Sequence, residues 1–187
     1  MGCYEREAKY PDEKPRFTCL LIRQPYRISR YPVTVAQFEL FVKAGGYAEA
    51  RYWPEAKAAK VWNEGQVKGW SDEAWRDEPQ GCNLSGTGIG HTSPVGMFPE
   101  GNAAYGAVDM AGNVWEWCRP KWLGNYKGYE KKVDDSLAGE GARVLRGGSW
   151  DFSRDVVRCV FRSGVGPGSR DSYVGFRVAA SPFVSGL

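Results

Sequence analysis

Asp109 to Cys118 reads Asp-Met-Ala-Gly-Asn-Val-Trp-Glu-Trp-Cys. Two carboxylates, Asp109 and Glu116, stand seven positions apart around a glycine that permits a sharp turn. The run from Val114 to Cys118 then reads as a short strand, with Trp115 and Trp117 as core and rim rings. A tight loop of this kind turns backbone carbonyls inward beside the carboxylates. Calcium takes roughly six to eight such hard oxygens. The side chains of Asp109 and Glu116 and the carbonyls of Gly112 and Val114 are the candidate calcium ligands. The same spacing also suits a plainer pair of roles, in which Asp109 caps a turn and Glu116 pairs with an arginine.

The 187 residues suit one domain. Charge is nearly balanced, 25 Lys and Arg against 22 Asp and Glu, which excludes a strongly basic nucleic-acid scaffold and an acidic disordered tail. Eight Trp, ten Tyr and eight Phe beside 24 Gly point to a loop-rich fold whose core is filled by rings rather than long helices. Residues 1–16 read as an extended segment and Phe17–Ile22 as a short strand. Thr34 with Gln37 forms a capping box for a helix over Val35–Ala44, with Val35, Phe38 and Val42 on one face and Gly45-Gly46 as its stop. A second helix is predicted near Pro54–Asn63 and a capped turn from Ser71 to Arg76. Residues 81–106 read as loop. Short strands are predicted within 114–118, 143–150, 157–162 and 173–179. Helices first and strands later make the chain α+β.

No run approaches the roughly 18 apolar residues of a membrane span, and Met1 to Tyr10 carries no secretory apolar region, so the default location is cytoplasmic. The five cysteines, Cys3, Cys19, Cys82, Cys118 and Cys159, are scattered without a CxxC pair and read as reduced thiols.

Four segments in series carry a resemblance. They are Tyr31-Pro32-Val33-Thr34 before a helix, Pro94-Val95-Gly96 before a loop, Gly112-Asn113-Val114-Trp115-Glu116-Trp117, and Arg146-Gly147-Gly148-Ser149-Trp150 followed by Gly175-Phe176-Arg177. Together they resemble the formylglycine-generating-enzyme-like, or sulfatase-modifying-factor, domain, a variant of the C-type lectin fold. The resemblance implies a single domain over 1–187, loop-rich, with short antiparallel strands and two helices. It also implies a calcium site at Asp109, Gly112, Val114 and Glu116. A second family calcium site would begin at Asn83-Leu84, but it lacks its acidic partner before Pro94.

The family chemistry is not carried over. The oxidase members resemble this chain but place a copper-binding cysteine pair shortly after the Gly-Gly-Ser motif. Here no cysteine lies between Gly148 and Cys159, and serine or valine cannot supply a soft ligand. Cys159 reads as a buried structural thiol. The iron-dependent relatives bind metal with several histidines, and this chain has only His91. Ser149 is available as a nucleophile, but no Ser-His-Asp set accompanies it. The expectation is therefore a chain that is not an enzyme and binds no copper.

The tail directs the reading elsewhere. Residues 141–187 contain no Lys, Glu, Gln or Met. Between Trp150 and Gly175, Trp is missing as well, and these are the residues that a codon ending in a pyrimidine cannot encode. Asparagine codons randomised at their adenines would yield the alphabet present. Framework residues Arg158, Arg162, Pro167 and Arg170 punctuate the stretch. In this the chain is similar to the variable proteins of diversity-generating retroelements, which use the same lectin-like fold. That resemblance implies a non-catalytic protein whose residues 150–175 form a diversified surface for a protein or other macromolecular ligand. The ligand-binding positions would be Phe152, Ser153, Asp155, Val156, Phe161, Ser163, Val165, Gly166, Ser169, Asp171, Ser172 and Tyr173. The three rings would act as anchors and the small residues as adaptable contacts, while core packing is the alternative for each Phe. Arg146, Arg158, Arg162 and Arg177 read as framework donors. The alternative is a formylglycine-generating-type oxidase acting on a sulfatase cysteine. Nucleic acid is the less favoured partner, because the seven tail arginines are spaced as scaffold.

Overall fold

The computed structural model describes residues 8–19, 25–46, 48–49, 81–103 and 105–180. The predicted helix near Pro54–Asn63 and the turn from Ser71 to Arg76 lie outside these residues, as does the second half of the predicted strand Phe17–Ile22. The described half, Phe17 to Cys19, is not strand.

Helix α1 spans Val35–Lys43 and is capped as its sequence dictates. The Gln37 amide donates to Thr34 Oγ1 at 3.2 Å, and the Thr34 amide donates back to Gln37 Oε1 at 2.9 Å. Its inward face keeps Phe38 of the predicted set but not the two valines. Val35 is 62% and Val42 40% exposed. Phe38 and Phe41 instead stack at 5.6 Å, and Phe38 meets Phe176 edge-on at 6.2 Å. The aromatic pair sets the helix's facing because rings remove more apolar area than valines. A second, one-turn helix, α2, spans Tyr129–Lys132.

Among the described residues, two small sheets complete the fold. Strands β1 (Arg27–Ile28) and β6 (Ala179–Ala180) pair antiparallel. The larger sheet has the order β4-β3-β2-β5, with β2 at Trp115–Lys121, β3 at Arg143–Arg146, β4 at Ser163–Val165 and β5 at Val174–Gly175. The β2–β3 and β3–β4 pairs are antiparallel, and β2–β5 is parallel. Trp115, Val144 and Leu145 from β2 and β3 join Phe98, Val108, Tyr126 and Tyr129 in the core. The result is α+β with short strands and long connections, as expected.

The predicted strand over 157–162 does not form. Residues 154–156 make a 3₁₀ turn, and 157–160 continue as bends and turns. Arg158 is the reason: its side chain folds back to Glu13, and its carbonyl accepts from the Phe161 amide at 2.9 Å, which closes a turn.

Candidate functional site

The turn at 109–116 knits three loops to the sheet. Asp109, Gly112 and Asn113 all have positive φ, at 55°, 73° and 65°. A Cβ at Gly112 would collide with the Asn83 carbonyl oxygen, so only glycine fits. The Asn113 amide donates to that oxygen at 2.9 Å, and the Gly112 amide donates to Gly147 O at 2.8 Å. Asn113 Oδ1 accepts from the Ser93 amide at 2.8 Å, and its Nδ2 donates to Ser93 O at 3.2 Å. Asp109 caps the neighbouring loop, accepting from the Gly96 amide at 2.7 Å.

Glu116 follows on β2 and meets an arginine. Arg177 Nε lies 2.9 Å from Oε1 and 2.7 Å from Oε2, and its Nη2 lies 2.6 Å from Oε1. Nη2 also donates to the carbonyls of Val108 at 2.9 Å and Asp109 at 3.3 Å. Burial pushes the Glu116 and Asp109 carboxyls up, and Arg177 pulls against it. These atoms do not fit the expected calcium ion. A guanidinium already occupies the Glu116 oxygens, and Asp109 spends Oδ2 on a backbone amide. The Gly112 carbonyl accepts from the Val114 amide at 2.9 Å. Of the two roles open at Asp109 and Glu116, the turn cap and arginine pair is the one the geometry contains. Among the described residues no group of three or more His, Cys, Asp or Glu converges as a metal site.

The tail arginines act on main chain. Arg146 Nη1 donates to the carbonyls of Cys159 at 3.1 Å and Phe161 at 2.8 Å, while Nη2 reaches the Tyr126 hydroxyl. Arg158 Nε donates to Asp155 O at 2.9 Å. Arg162 lies over Trp122 and Tyr126, 4.4 and 4.2 Å from their centroids, and donates to the carbonyls of Asp12 and Leu123.

The candidate ligand positions separate into groups. Phe152 meets Trp115 edge-on at 5.7 Å and Tyr173 at 5.5 Å, and Phe161 meets Trp115 at 5.8 Å. All three rings are half-buried: Phe152 and Phe161 lie against the core ring Trp115 and Tyr173 against Phe152, rather than lying free as anchors. Ser153, Asp155, Gly166 and Ser172 are exposed, and Val156, Ser169 and Asp171 are intermediate. Ser163 and Val165 lie on β4, at the opposite edge of the sheet from β5 and the adjoining Tyr173. The structure therefore gathers the Phe152, Phe161 and Tyr173 end of the set and leaves the β4 positions apart.

The residues weighed for chemistry also find places. Ser149 is fully buried, which removes it as a nucleophile. His91 Nδ1 lies 2.8 Å from Thr92 O. Cys159 is exposed, contrary to expectation, because its segment is a turn rather than a strand. Burial pushes the Cys118 thiol up to about 11 and also raises Cys82. Sequence reading missed Glu13, which is fully buried against Arg158, and the Trp122–Tyr126 cradle of Arg162. No local signal marks either, because Glu13 lies in a polar, proline-containing stretch 145 residues from its partner.

Comparison with known proteins bears on all of this. Residues 66–182 match the sulfatase-modifying factor enzyme 1-like domain. Hercynine oxygenase of Mycolicibacterium thermoresistibile is 27% identical over 226 residues, covering 82% of this chain and 50% of that protein. The formylglycine-generating enzyme of Streptomyces coelicolor is 33% identical over 153 residues, covering 78% of this chain and 45% of that one. The chain thus spans about half the length of these curated relatives. Among solved structures, PvdO from Pseudomonas aeruginosa superposes with a TM-score of 0.65 at 23% identity, covering 96% of this chain and 88% of that one. Treponema denticola variable protein 1 is 33% identical with a TM-score of 0.46, covering 55% and 36%. The relatives named hercynine oxygenase and formylglycine-generating enzyme overturn the expectation that the chain is not an enzyme. The missing cysteine pair after Gly148 is no ground for placing it outside enzyme chemistry. The match over 66–182, on a scaffold that joins the 109–116 turn to the Arg146 and Arg177 clamps, shows that the chain belongs to the sulfatase-modifying factor enzyme 1-like domain family.

Proposed function

We propose that residues 150–175 form a diversified ligand-binding surface on this scaffold, addressed to a protein or other macromolecular ligand. One observation carries the proposal. The 155–161 stretch of the tail is held by arginines that donate to main-chain carbonyls, at Asp155, Cys159 and Phe161. Every residue supplies a carbonyl, so these particular bonds survive a change of side chain at the residues that accept them. Gly166 agrees with this, since a Cβ added there meets nothing within 4 Å. The rings at Phe152, Phe161 and Tyr173 supply apolar area beside small polar residues, the composition of adaptable binding surfaces.

The test is genetic and physical. The coding DNA should have a near-identical repeat nearby that differs only at adenines, next to a reverse transcriptase. Its absence removes the diversification. Replacing Ser153, Gly166, Ser169 and Ser172 together should leave the fold intact, and loss of folding would refute a surface built to vary.

A second reading is a formylglycine-generating-type oxidase acting on a sulfatase cysteine. The 33% identity to the Streptomyces coelicolor enzyme favours it. Oxidation of a cysteine-containing sulfatase peptide in the presence of copper, above background, would establish it. No turnover under those conditions would count against it.

A further inference from the structure

We infer that residues 9–14 brace the candidate surface, with Glu13 as the positioning residue that fixes the 154–162 loop. The inference rests on the reading of 150–175 as the ligand surface.

Glu13 has no exposed surface, and its carboxylate joins two distant parts of the chain. From its own segment, the amides of Lys9 and Tyr10 donate to Oε2 at 2.7 and 3.2 Å. From the tail, Arg158 Nη2 donates to Oε1 at 2.5 Å, and Nη1 lies 3.5 Å from Oε2. The neighbours of Glu13 repeat the pattern. The Lys9 ammonium pairs with Asp155. The Tyr10 ring meets Phe161 edge-on at 5.3 Å, and the Arg158 guanidinium lies 5.9 Å from its centroid. The Asp12 carbonyl accepts from Arg162 Nε at 3.3 Å and Nη2 at 3.0 Å.

These contacts converge on Asp155, Arg158, Phe161 and Arg162, the span between Phe152 and β4. That span has no strand pairing. A loop without ladder hydrogen bonds takes its conformation from side-chain contacts. Arg146 fixes its two carbonyls at Cys159 and Phe161. Trp115 lies against Phe161, and Trp122, Tyr126 and the Leu123 carbonyl hold Arg162; residues 9–14 supply the contacts to Asp155 and the Arg158 side chain and share those to Phe161 and Arg162. A carboxylate buried without its guanidinium partner is costly, so Glu13 and Arg158 hold each other in place. The brace also adds a ring of its own, since a ligand that engages Phe161 meets Tyr10 beside it. Residues 9–14 would thus supply a constant edge to a surface whose other positions vary.

Hydrogen exchange on the full, ligand-free chain tests the brace. In Glu13→Ala, amides within 154–162 should exchange at least about tenfold faster, while those of β2 and β3 keep their rates. Lys9→Ala removes an exposed pair and should accelerate the same amides by about two- to fivefold. Asp134→Ala, which breaks a remote pair with Lys121, should leave them unchanged. Unchanged rates over 154–162 in both brace variants would overturn the inference, as would equal acceleration across β2 and β3. If Glu13→Ala does not fold, Lys9→Ala decides alone. Because no ligand is present, the outcome stands apart from the substitution tolerance and DNA repeat that test the surface itself.

Discussion

Arg177 closes a bidentate clamp on Glu116 across 61 residues, with all three nitrogen–oxygen distances between 2.6 and 2.9 Å. The clamp ties the Gly175-Phe176-Arg177 motif to β2. It also fastens the 108–109 carbonyls to the same guanidinium. Breaking it from one side leaves a buried charge without a partner. Arg177→Met should therefore lower stability by about 3–5 kcal/mol, read by chemical denaturation. Arg177→Lys should recover only part of the loss, because an ammonium cannot reproduce the planar fork. Full recovery by lysine would show that charge alone matters there.

Calcium should not stabilise the protein. One of its four candidate ligands is the Glu116 carboxylate, whose two oxygens are already held by Arg177. Thermal unfolding with millimolar calcium and with chelator should give the same midpoint. A rise with calcium that vanishes in Glu116→Gln would place the ion at this turn.

The thiols should differ in reactivity. Cys159 is exposed, whereas burial raises the Cys118 thiol to about 11. A thiolate is the reacting form, so Cys118 is largely unreactive near pH 8. Alkylation followed by mass spectrometry should modify Cys159 well before Cys118. Equal rates in the native protein would contradict the burial.

Acid should act through Glu13. Burial raises its carboxyl, but the Arg158 guanidinium and the Lys9 and Tyr10 amides outweigh burial and hold it below the usual range. A carboxyl lowered by folding contributes stability above its unfolded value, about 4.3, and loses it as pH falls through the folded value. Asp109 and Glu116 are raised by burial, so their contribution has the opposite slope and shrinks as pH rises. The stability gap between wild type and Glu13→Gln should thus narrow below about pH 4 and stay level from 6 to 8. Parallel profiles down to pH 3 would exclude Glu13 as the acid-sensitive group.

Local signals in the sequence were faithful where the determining residues are neighbours. The Thr34–Gln37 capping box set the start of α1, and Val114–Cys118 marked most of β2. The arginine spacing in the tail correctly indicated framework donors. Failures trace to partners far along the chain. The 109–116 turn read equally well as a calcium loop until Arg177 was found on Glu116. The alternation over 157–162 resembled a strand because nothing local shows Arg158 turning back to Glu13. Phe152 and Phe161 suit either anchors or core packing from sequence alone, and Trp115 beneath both is what decides. The absence of a cysteine pair pointed away from enzymes, and the named relatives reversed that inference.

The central claim is that framework arginines hold the tail backbone, so that its exposed variable side chains can change without unfolding it. A paired thermal-unfolding comparison tests it most directly. One variant combines Ser153→Tyr, Gly166→Ser, Ser169→Asp and Ser172→Tyr, and the other is Arg146→Ala, which removes the bonds to Cys159 O and Phe161 O. The fourfold variant should unfold within about 3 °C of wild type, and Arg146→Ala about 5–15 °C lower, since 1 kcal/mol moves a domain of this size by about 2–4 °C. A fourfold variant that unfolds as early as Arg146→Ala would contradict the account.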